Sequence, residues 1–162
     1  MKRLDRKTLL LTQAAMIAAI YVILTVVFSA FSFGEVQIRI AEALTILPMF
    51  TPAAIPGLFV GCLLGNIMGG AVIWDIIFGS LATLIGAVGT YCLRDRSSFL
   101  GCLPPIIANT CIVPFVLHYA YGVTLPIPFM MLTVGAGEII GCGILGICLH
   151  KLLAGYSSKI FA

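Results

Sequence analysis

The residues best suited to chemistry in this sequence are three charged side chains close together, Glu35, Arg39 and Glu42. They are spaced i, i+4 and i+7, so on an α-helix all three would project from one face. The alternative is a strand-like loop, because apolar and polar side chains alternate over residues 36–40. Either arrangement holds charge against apolar sequence, which favours a binding site over an ordinary interfacial ion pair.

The composition indicates the class of protein. Of the 162 residues, 61% are hydrophobic and 9% are charged, whereas soluble domains carry roughly a quarter charged residues. A soluble chain of this length could not bury so much apolar surface, so we expect an integral membrane protein. The net charge of +3 is too small and too dispersed to indicate nucleic-acid binding. The first apolar segment is too long for a signal peptide and lacks a small-residue cleavage site.

The apolar segments predict an all-α integral membrane protein, a single domain over residues 1–162 with six transmembrane helices. The expected spans are residues 9–33, 36–51, 53–70, 74–93, 99–118 and 129–153. The second span has the weakest boundaries, because a helix from Glu42 to Thr51 would rise only ~15 Å, about half of a hydrocarbon core.

The basic residues predict that both termini are cytoplasmic. With six spans, eight of the nine Lys and Arg residues lie at inner ends: Lys2, Arg3, Arg6, Lys7, Arg94, Arg96, Lys151 and Lys159. Five spans would place the two basic ends on opposite sides of the membrane.

The acidic residues show the complementary pattern. Four map toward the outer half, together with Arg39, Asn66 and His118: Glu35, Glu42, Asp75 and Glu138. Asp75 or Glu35 alone could simply face water. Glu138 lies inside a span, where ionisable groups are costly and usually line a cavity or pathway.

Small residues form two further patterns. Gly57, Gly61, Gly65 and Gly69 repeat every four residues and predict close packing between helices of this protein. Two alanine pairs near the cytoplasmic end of the first span could instead contact a partner: Ala14 with Ala18, and Ala15 with Ala19.

Enzymatic motifs are absent from the sequence. It has no phosphate loop, zinc-protease helix, nucleophile elbow or dinucleotide fingerprint, so we do not expect an enzyme. The six cysteines form no CxxC pair and lie in apolar sequence, which is typical of small hydrophobic residues and not of disulfides or metal ligands. His118 and His150 fall at opposite ends of predicted helices. We therefore expect no metal and no cofactor. If the protein moves a solute against its gradient, we expect the energy to come from an ion gradient or from a separate ATPase.

Four stretches of the sequence resemble one family: residues 36–62 (VQIRIAEALTILPMFTPAAIPGLFVGC), 74–87 (WDIIFGSLATLIGA), 104–110 (PPIIANT) and 113–122 (VPFVLHYAYG). Together they resemble the QueT family, the substrate-binding (S) components of energy-coupling-factor (ECF) transporters for queuosine precursors. The resemblance covers nearly the whole chain.

The resemblance implies six helices, a pocket that opens outward, and location in the bacterial cytoplasmic membrane. It implies no ATPase in this chain but docking on an energising module, a transmembrane coupling protein with two ATPases that use ATP. The first-helix alanines, Ala14, Ala15, Ala18 and Ala19, match the pattern that contacts the coupling protein in related S components. The implied mechanism is a toppling of the loaded subunit in the membrane.

The implied ligand, a 7-deazaguanine such as preQ1 or preQ0, suits the acidic layer. A carboxylate can accept two hydrogen bonds from its ring N–H and amino edge, and the ring would stack on Trp74. The aminomethyl form also carries a positive charge. We expect Arg39 to neutralise Glu35 or Glu42, which leaves other carboxylates for the ligand. The predicted ligand contacts are Glu35, Arg39, Glu42, Asn66, Trp74, Asp75, Asn109, His118 and Glu138.

Two alternative functions remain open at this point. One is an S component for another vitamin-like small molecule. The other is a standalone, proton-coupled secondary transporter in which Glu138 or Asp75 would carry the proton.

Overall fold

The computed structural model describes residues 5–28 and 39–156, and over these residues the protein is helical and contains no strand. The helices are α1 (Arg6–Val27), α2 (Ile40–Met49), α3 (Ala54–Met68), α4 (Ile73–Cys92), α5 (Ser98–Tyr119) and α6 (Ile127–Ala154). The helix named α2 is of 3₁₀ type, and α6 contains a π-helical segment at Ile139–Leu145. The predicted all-α class is confirmed.

Helix length separates these elements into two groups. Four helices, α1, α4, α5 and α6, are long and apolar enough to cross a membrane. A ten-residue 3₁₀ helix rises about 20 Å and a fifteen-residue α-helix about 22 Å, so α2 and α3 are shorter than a hydrocarbon core of ~30 Å. The protein is therefore a multi-pass membrane protein, and the count of six spans stays a prediction.

The predicted glycine stripe of α3 packs against α1. Gly57 lies beside the backbone of Ala14, and Gly65 lies beside the side chain of Thr25. Residue numbers rise together on both helices, so α1 and α3 run parallel at close range. The prediction that this stripe serves internal packing is confirmed.

The short helix α2 lies at the centre of the bundle. It contacts α1, α3, α4, α5 and α6. Near its start Glu42 meets Tyr21, late in α1, and just beyond its end Thr51 donates a hydrogen bond to Gln13, early in α1. It therefore runs antiparallel to α1 and supplies the return path that a parallel α1–α3 pair requires.

The remaining helices alternate in direction. On α4 and α5, Gly86 packs on Pro105 and Thr90 donates a hydrogen bond to the carbonyl of Gly101. This antiparallel order, continued by α5 and α6, places the described basic residues other than Arg39 at one end of the bundle: Arg6, Lys7, Arg94, Arg96 and Lys151. The cytoplasmic location of that end stays a prediction.

One expectation about the charged segment is wrong. Arg39 has an extended backbone (φ −88°, ψ 100°) and precedes the 3₁₀ helix that holds Glu42, so the two residues do not share an α-helical face. A helix that begins only at Ile40, with three residues per turn, has neither the length nor the period for that spacing. Glu35 and most of the alternating segment 36–40 lie outside the described residues.

The contact between α1 and α3 gives the first testable prediction. A Cβ atom on Gly61 would lie 2.8 Å from the Cβ of Tyr21 and 3.1 Å from the backbone of Ala18. Gly61→Leu should therefore force the helices apart and reduce the free energy of unfolding by ~1–3 kcal/mol. Unfolding in detergent would measure this loss.

The neighbouring substitution Val60→Leu is the control, because Val60 is 41% exposed and its side chain can grow into lipid. Equal stability of the Gly61→Leu and Val60→Leu variants would contradict the close approach of α1 and α3.

Candidate functional site

A buried ion pair lies at the end of the bundle opposite the basic residues. The Arg39 guanidinium is 3.5 Å from the Asp75 carboxylate, and the two side chains are only 6% and 1% exposed. Arg39 enters from the residue before α2, and Asp75 from the first turn of α4. In an apolar bundle each charge would be costly alone, so the two elements hold each other in place.

Two polar groups complete this pair. Tyr121, between α5 and α6, donates a hydrogen bond of 2.9 Å to the Asp75 carboxylate. The Asn66 amide of α3 donates to the Asp75 backbone carbonyl at 3.4 Å. We call Arg39, Asp75, Asn66 and Tyr121 the ion-pair network.

Gly79 makes room for the ion-pair network. A Cβ at this position would lie 3.0 Å from Oδ1 of Asp75 and 3.2 Å from Nδ2 of Asn66. The glycine, one turn after Asp75 on α4, therefore leaves space for the Asp75 carboxylate and for the Asn66 amide that approaches from α3.

Tyr121 remains a hydrogen-bond donor over a wide pH range. Burial, together with the charge of Asp75 and the hydrogen bond to it, raises the pKa of Tyr121 to about 12 from 10.0. Because the folded pKa is the higher one, the stability linked to this proton is complete below pH 10 and is lost as the pH rises through about 12.

A second buried group lies between α2 and α6. The carboxylates of Glu42 and Glu138 and the thiol of Cys142 lie within 4.8 Å of one another, and all three residues are buried. Tyr21 donates a hydrogen bond to Glu42, and the Cys142 thiol donates one of 3.1 Å to Glu138. We call Glu42 and Glu138 the carboxylate pair.

The two groups adjoin each other. The Cβ position of Gly141 on α6 is 2.9 Å from the backbone carbonyl of Arg39 and 3.6 Å from the Cβ of Glu42. Glu42 follows Arg39 by three residues, and the ion-pair contact of Arg39 among the described residues is with Asp75.

Several polar atoms here lack a hydrogen-bond partner among the described residues. The amide oxygen of Asn109 is in this position, although Asn109 is only 1% exposed, and its amide nitrogen lies within donating reach of Glu138. One carboxylate oxygen of Glu42 and one of Asp75 share this condition. Buried polar groups are normally paired, so the region is built to accept a further polar group.

The structure thus brings six of the nine predicted ligand contacts into one region: Arg39, Glu42, Asn66, Asp75, Asn109 and Glu138. Glu35 lies outside the described residues. The expected partner of Arg39 was Glu35 or Glu42. Among the described residues its ion-pair partner is Asp75 and not Glu42, and the pairing with Glu35 stays a prediction. The pairing of Arg39 with Asp75 joins distant parts of the chain and has no local sequence signal.

Trp74 and His118 lie apart from these groups. Trp74 is 55% exposed and stacks on Phe78 along an apolar groove of about 440 Å³ between α4 and α5, lined also by Phe115. A ring nitrogen of His118 lies 3.0 Å from the carbonyl of Val123. The walls of this groove are mostly apolar, and none of the carboxylates lines it.

The four alanines of α1 divide into two pairs. Ala14 and Ala18 pack against the glycines of α3, whereas Ala15 and Ala19 are exposed. A partner could therefore reach Ala15 and Ala19 directly, while Ala14 and Ala18 are engaged within the protein.

Sequence reasoning missed four residues of the site: Tyr21, Tyr121, Cys142, and Thr45, which donates a hydrogen bond of 3.3 Å to the Cys142 sulfur. A signal existed for Cys142, because it follows Glu138 by four residues and so lies on the same helical face. Tyr21 and Tyr121 contact carboxylates that are distant in sequence, and nothing in their neighbourhoods indicates this.

Comparison with known proteins gives a consistent result. The chain matches the family described as QueT transporter over residues 11–155. Over 82 residues it is 37% identical to a protein of Lactococcus lactis subsp. cremoris (strain MG1363) named Queuosine precursor transporter QueT. The match covers 49% of this chain and 47% of that relative, about half the length of each. No solved structure matches the chain significantly.

The ion-pair network gives the second testable prediction. Asp75→Asn would leave the Arg39 guanidinium buried without its carboxylate, and the loss in unfolding free energy should be ~3–5 kcal/mol. The double variant Arg39→Gln with Asp75→Asn should recover part of that loss, which a double-mutant cycle in detergent would measure.

Tyr121→Phe is the control for this cycle. It removes the hydrogen bond to Asp75 and a longer one, 3.4 Å, from the Val72 N–H at a partly exposed site, so the cost should be about 1–2 kcal/mol. An Asp75→Asn variant as stable as the parent would show that the ion pair does not hold α2 to α4.

Proposed function

The chain belongs to the QueT transporter family, a family of membrane transport proteins without enzymatic activity, and from this we propose that it binds a queuosine precursor for import. The proposed ligand is a 7-deazaguanine, with preference for the aminomethyl form, preQ1. The relative's name, Queuosine precursor transporter, supports this class of ligand.

One observation carries the proposal, the charge balance of the buried site. Arg39 pairs with Asp75, which leaves Glu42 and Glu138 as buried carboxylates without a basic partner among the described residues. An isolated buried charge has a high free energy, and a cationic ligand beside it lowers that free energy. The aminomethyl group of preQ1 supplies such a charge, whereas the nitrile of preQ0 does not.

Asn109 fits the polar edge of the same ligand. Its amide offers one acceptor and two donors; the oxygen has no hydrogen-bond partner among the described residues, and the nitrogen lies within donating reach of Glu138. We assign one amide N–H group to the ligand carbonyl. A carboxylate oxygen of the neighbouring pair then accepts from the ring N–H and amino group.

The source of energy is also part of the proposal. The sequence has no phosphate loop, and the exposed alanines Ala15 and Ala19 offer a surface of small residues for close contact with another membrane helix. We assign them to docking on an ECF energising module, in the bacterial cytoplasmic membrane with the basic end of the bundle inside. The energising module would then hydrolyse the ATP.

The ligand assignment gives the third prediction. Glu138→Gln and Glu42→Gln should each weaken binding of preQ1 by ~1–3 kcal/mol and affect preQ0 less. The reason is that the carboxylate makes a charge-assisted contact with the aminomethyl cation of preQ1, whereas the neutral nitrile of preQ0 makes no such contact. Isothermal titration with both precursors would give the ratio of dissociation constants.

Asp95→Asn is the matched control, since it removes a carboxylate that is 88% exposed and lies at the basic end. If both glutamine variants kept the parental preference for preQ1 over preQ0, the carboxylate pair would not be the cation site.

The energy source gives the fourth prediction. The purified protein in vesicles should bind the precursor but accumulate it only when the coupling protein and ATPases are reconstituted with it. Radiolabelled uptake with and without a proton gradient would test this, and concentrative uptake by the protein alone would favour a proton-coupled secondary transporter.

A further inference from the structure

Three potential metal-ligand atoms converge between α2 and α6. They belong to Glu42, Glu138 and Cys142, which are 1%, 4% and 1% exposed, and they lie within 4.8 Å of one another. Thr45 donates a hydrogen bond of 3.3 Å to the Cys142 sulfur. Two carboxylates and a thiol are a mixed oxygen and sulfur set, which borderline-soft divalent cations accept.

The separations suit a metal ion. Three atoms no more than 4.8 Å apart can all be reached from a point within about 2.8 Å of each. Zinc takes sulfur at ~2.3 Å and carboxylate oxygen at ~2.0–2.2 Å. Small side-chain rotations therefore bring the three atoms to bonding distance without movement of the helices.

Asn109 supplies a second, independent observation. Its side chain is 1% exposed, its amide nitrogen lies within donating reach of Glu138, and its amide oxygen has no hydrogen-bond partner among the described residues. A carboxamide oxygen can serve as a fourth ligand or orient a metal-bound water. The amide with the unsatisfied oxygen thus lies beside one of the three donor residues, Glu138.

The charge balance favours a divalent ion. Asp75 compensates Arg39, so the carboxylate pair has no cation of its own among the described residues. Two carboxylates and the Cys142 thiolate would bring three negative charges to a bound metal, and a divalent cation offsets two of them where a monovalent ion offsets one.

We propose that Glu42, Glu138 and Cys142, with Asn109 beside them, bind a thiophilic divalent cation of the Zn²⁺ or Cd²⁺ class. On binding, the Cys142 thiol gives up its proton to solvent and its thiolate coordinates the metal. The expectation that the cysteines are not metal ligands came from their apolar sequence, which gives no sign that α2 brings a second carboxylate to Cys142.

Metal binding does not depend on the proposed function, but one consequence does. If the carboxylate pair also receives the aminomethyl cation, the metal and preQ1 compete for it. Zn²⁺ then inhibits preQ1 binding, and excess preQ1 displaces the metal.

The test uses Cd²⁺ as a spectroscopic probe and Zn²⁺ for affinity. The detergent-purified full chain should give the ultraviolet charge-transfer band of a cadmium thiolate and bind one Zn²⁺ more tightly than its other sites in equilibrium dialysis. Cys142→Ser should remove the band of the buried site and weaken that Zn²⁺ binding ~10-fold or more, and Glu138→Gln should weaken it similarly.

Cys62→Ser is the matched control. Cys62 is equally buried and also accepts a threonine hydrogen bond, 3.4 Å from Thr83, but it lies outside the three-donor cluster. This variant should retain the band and the tight Zn²⁺ site. Thermal unfolding of each variant identifies any that fail to fold. If Cys142→Ser does not fold, the test relies on the Zn²⁺ affinity of Glu138→Gln.

Two results would overturn the proposal: no tight Zn²⁺ site in the parent, or a Zn²⁺ affinity that is the same in the parent, Cys142→Ser and Glu138→Gln. Precursor titrations on the same preparations separate this from the proposed function. A protein that binds preQ1 but no metal contradicts only the metal site, and the reverse result contradicts only the precursor.

Discussion

The ion pair between Arg39 and Asp75 is the contact on which the rest of this site depends. It connects the residue before α2 with the first turn of α4, and both side chains are almost completely withdrawn from solvent. Removal of either charge would leave the other without compensation in an apolar surrounding. The pair also fixes the charge of its neighbours, because a guanidinium engaged by Asp75 cannot fully compensate Glu42 and Glu138.

The fold is arranged to make this possible. Glycines permit the close parallel contact of α1 and α3. The connecting helix α2 runs antiparallel to both and contacts each of the other five described helices. From there Glu42 reaches Tyr21 on one side and Glu138 with Cys142 on the other. Because α2 begins only at Ile40, Arg39 keeps an extended backbone and its side chain reaches Asp75 on α4.

Much of the fold was predictable from the sequence, because apolar length and glycine spacing are local signals. The all-α class follows from composition, and the α1–α3 contact follows from the four-residue glycine repeat. The acidic and amide residues Glu42, Asp75, Asn109 and Glu138 were found because polar groups are rare in this chain. Their partners were not, since Arg39 with Asp75 and Tyr21 with Glu42 are contacts between distant helices. The 3₁₀ type of α2 and the π-helical segment of α6 also escaped prediction, and the two segments pack against each other.

The central position of α2 has a consequence for how the protein is made. Its neighbours include α1, synthesised before it, and α3 to α6, synthesised after it. The buried acid Glu42 meets Glu138 and Cys142 only when the last helix is present. Early in insertion α2 is therefore a short segment that lacks most of its helix contacts, and a bilayer does not hold a segment shorter than its hydrocarbon core as a stable span. Its final placement is a late event in biogenesis, and truncation of α6 would harm assembly as much as it would harm the site.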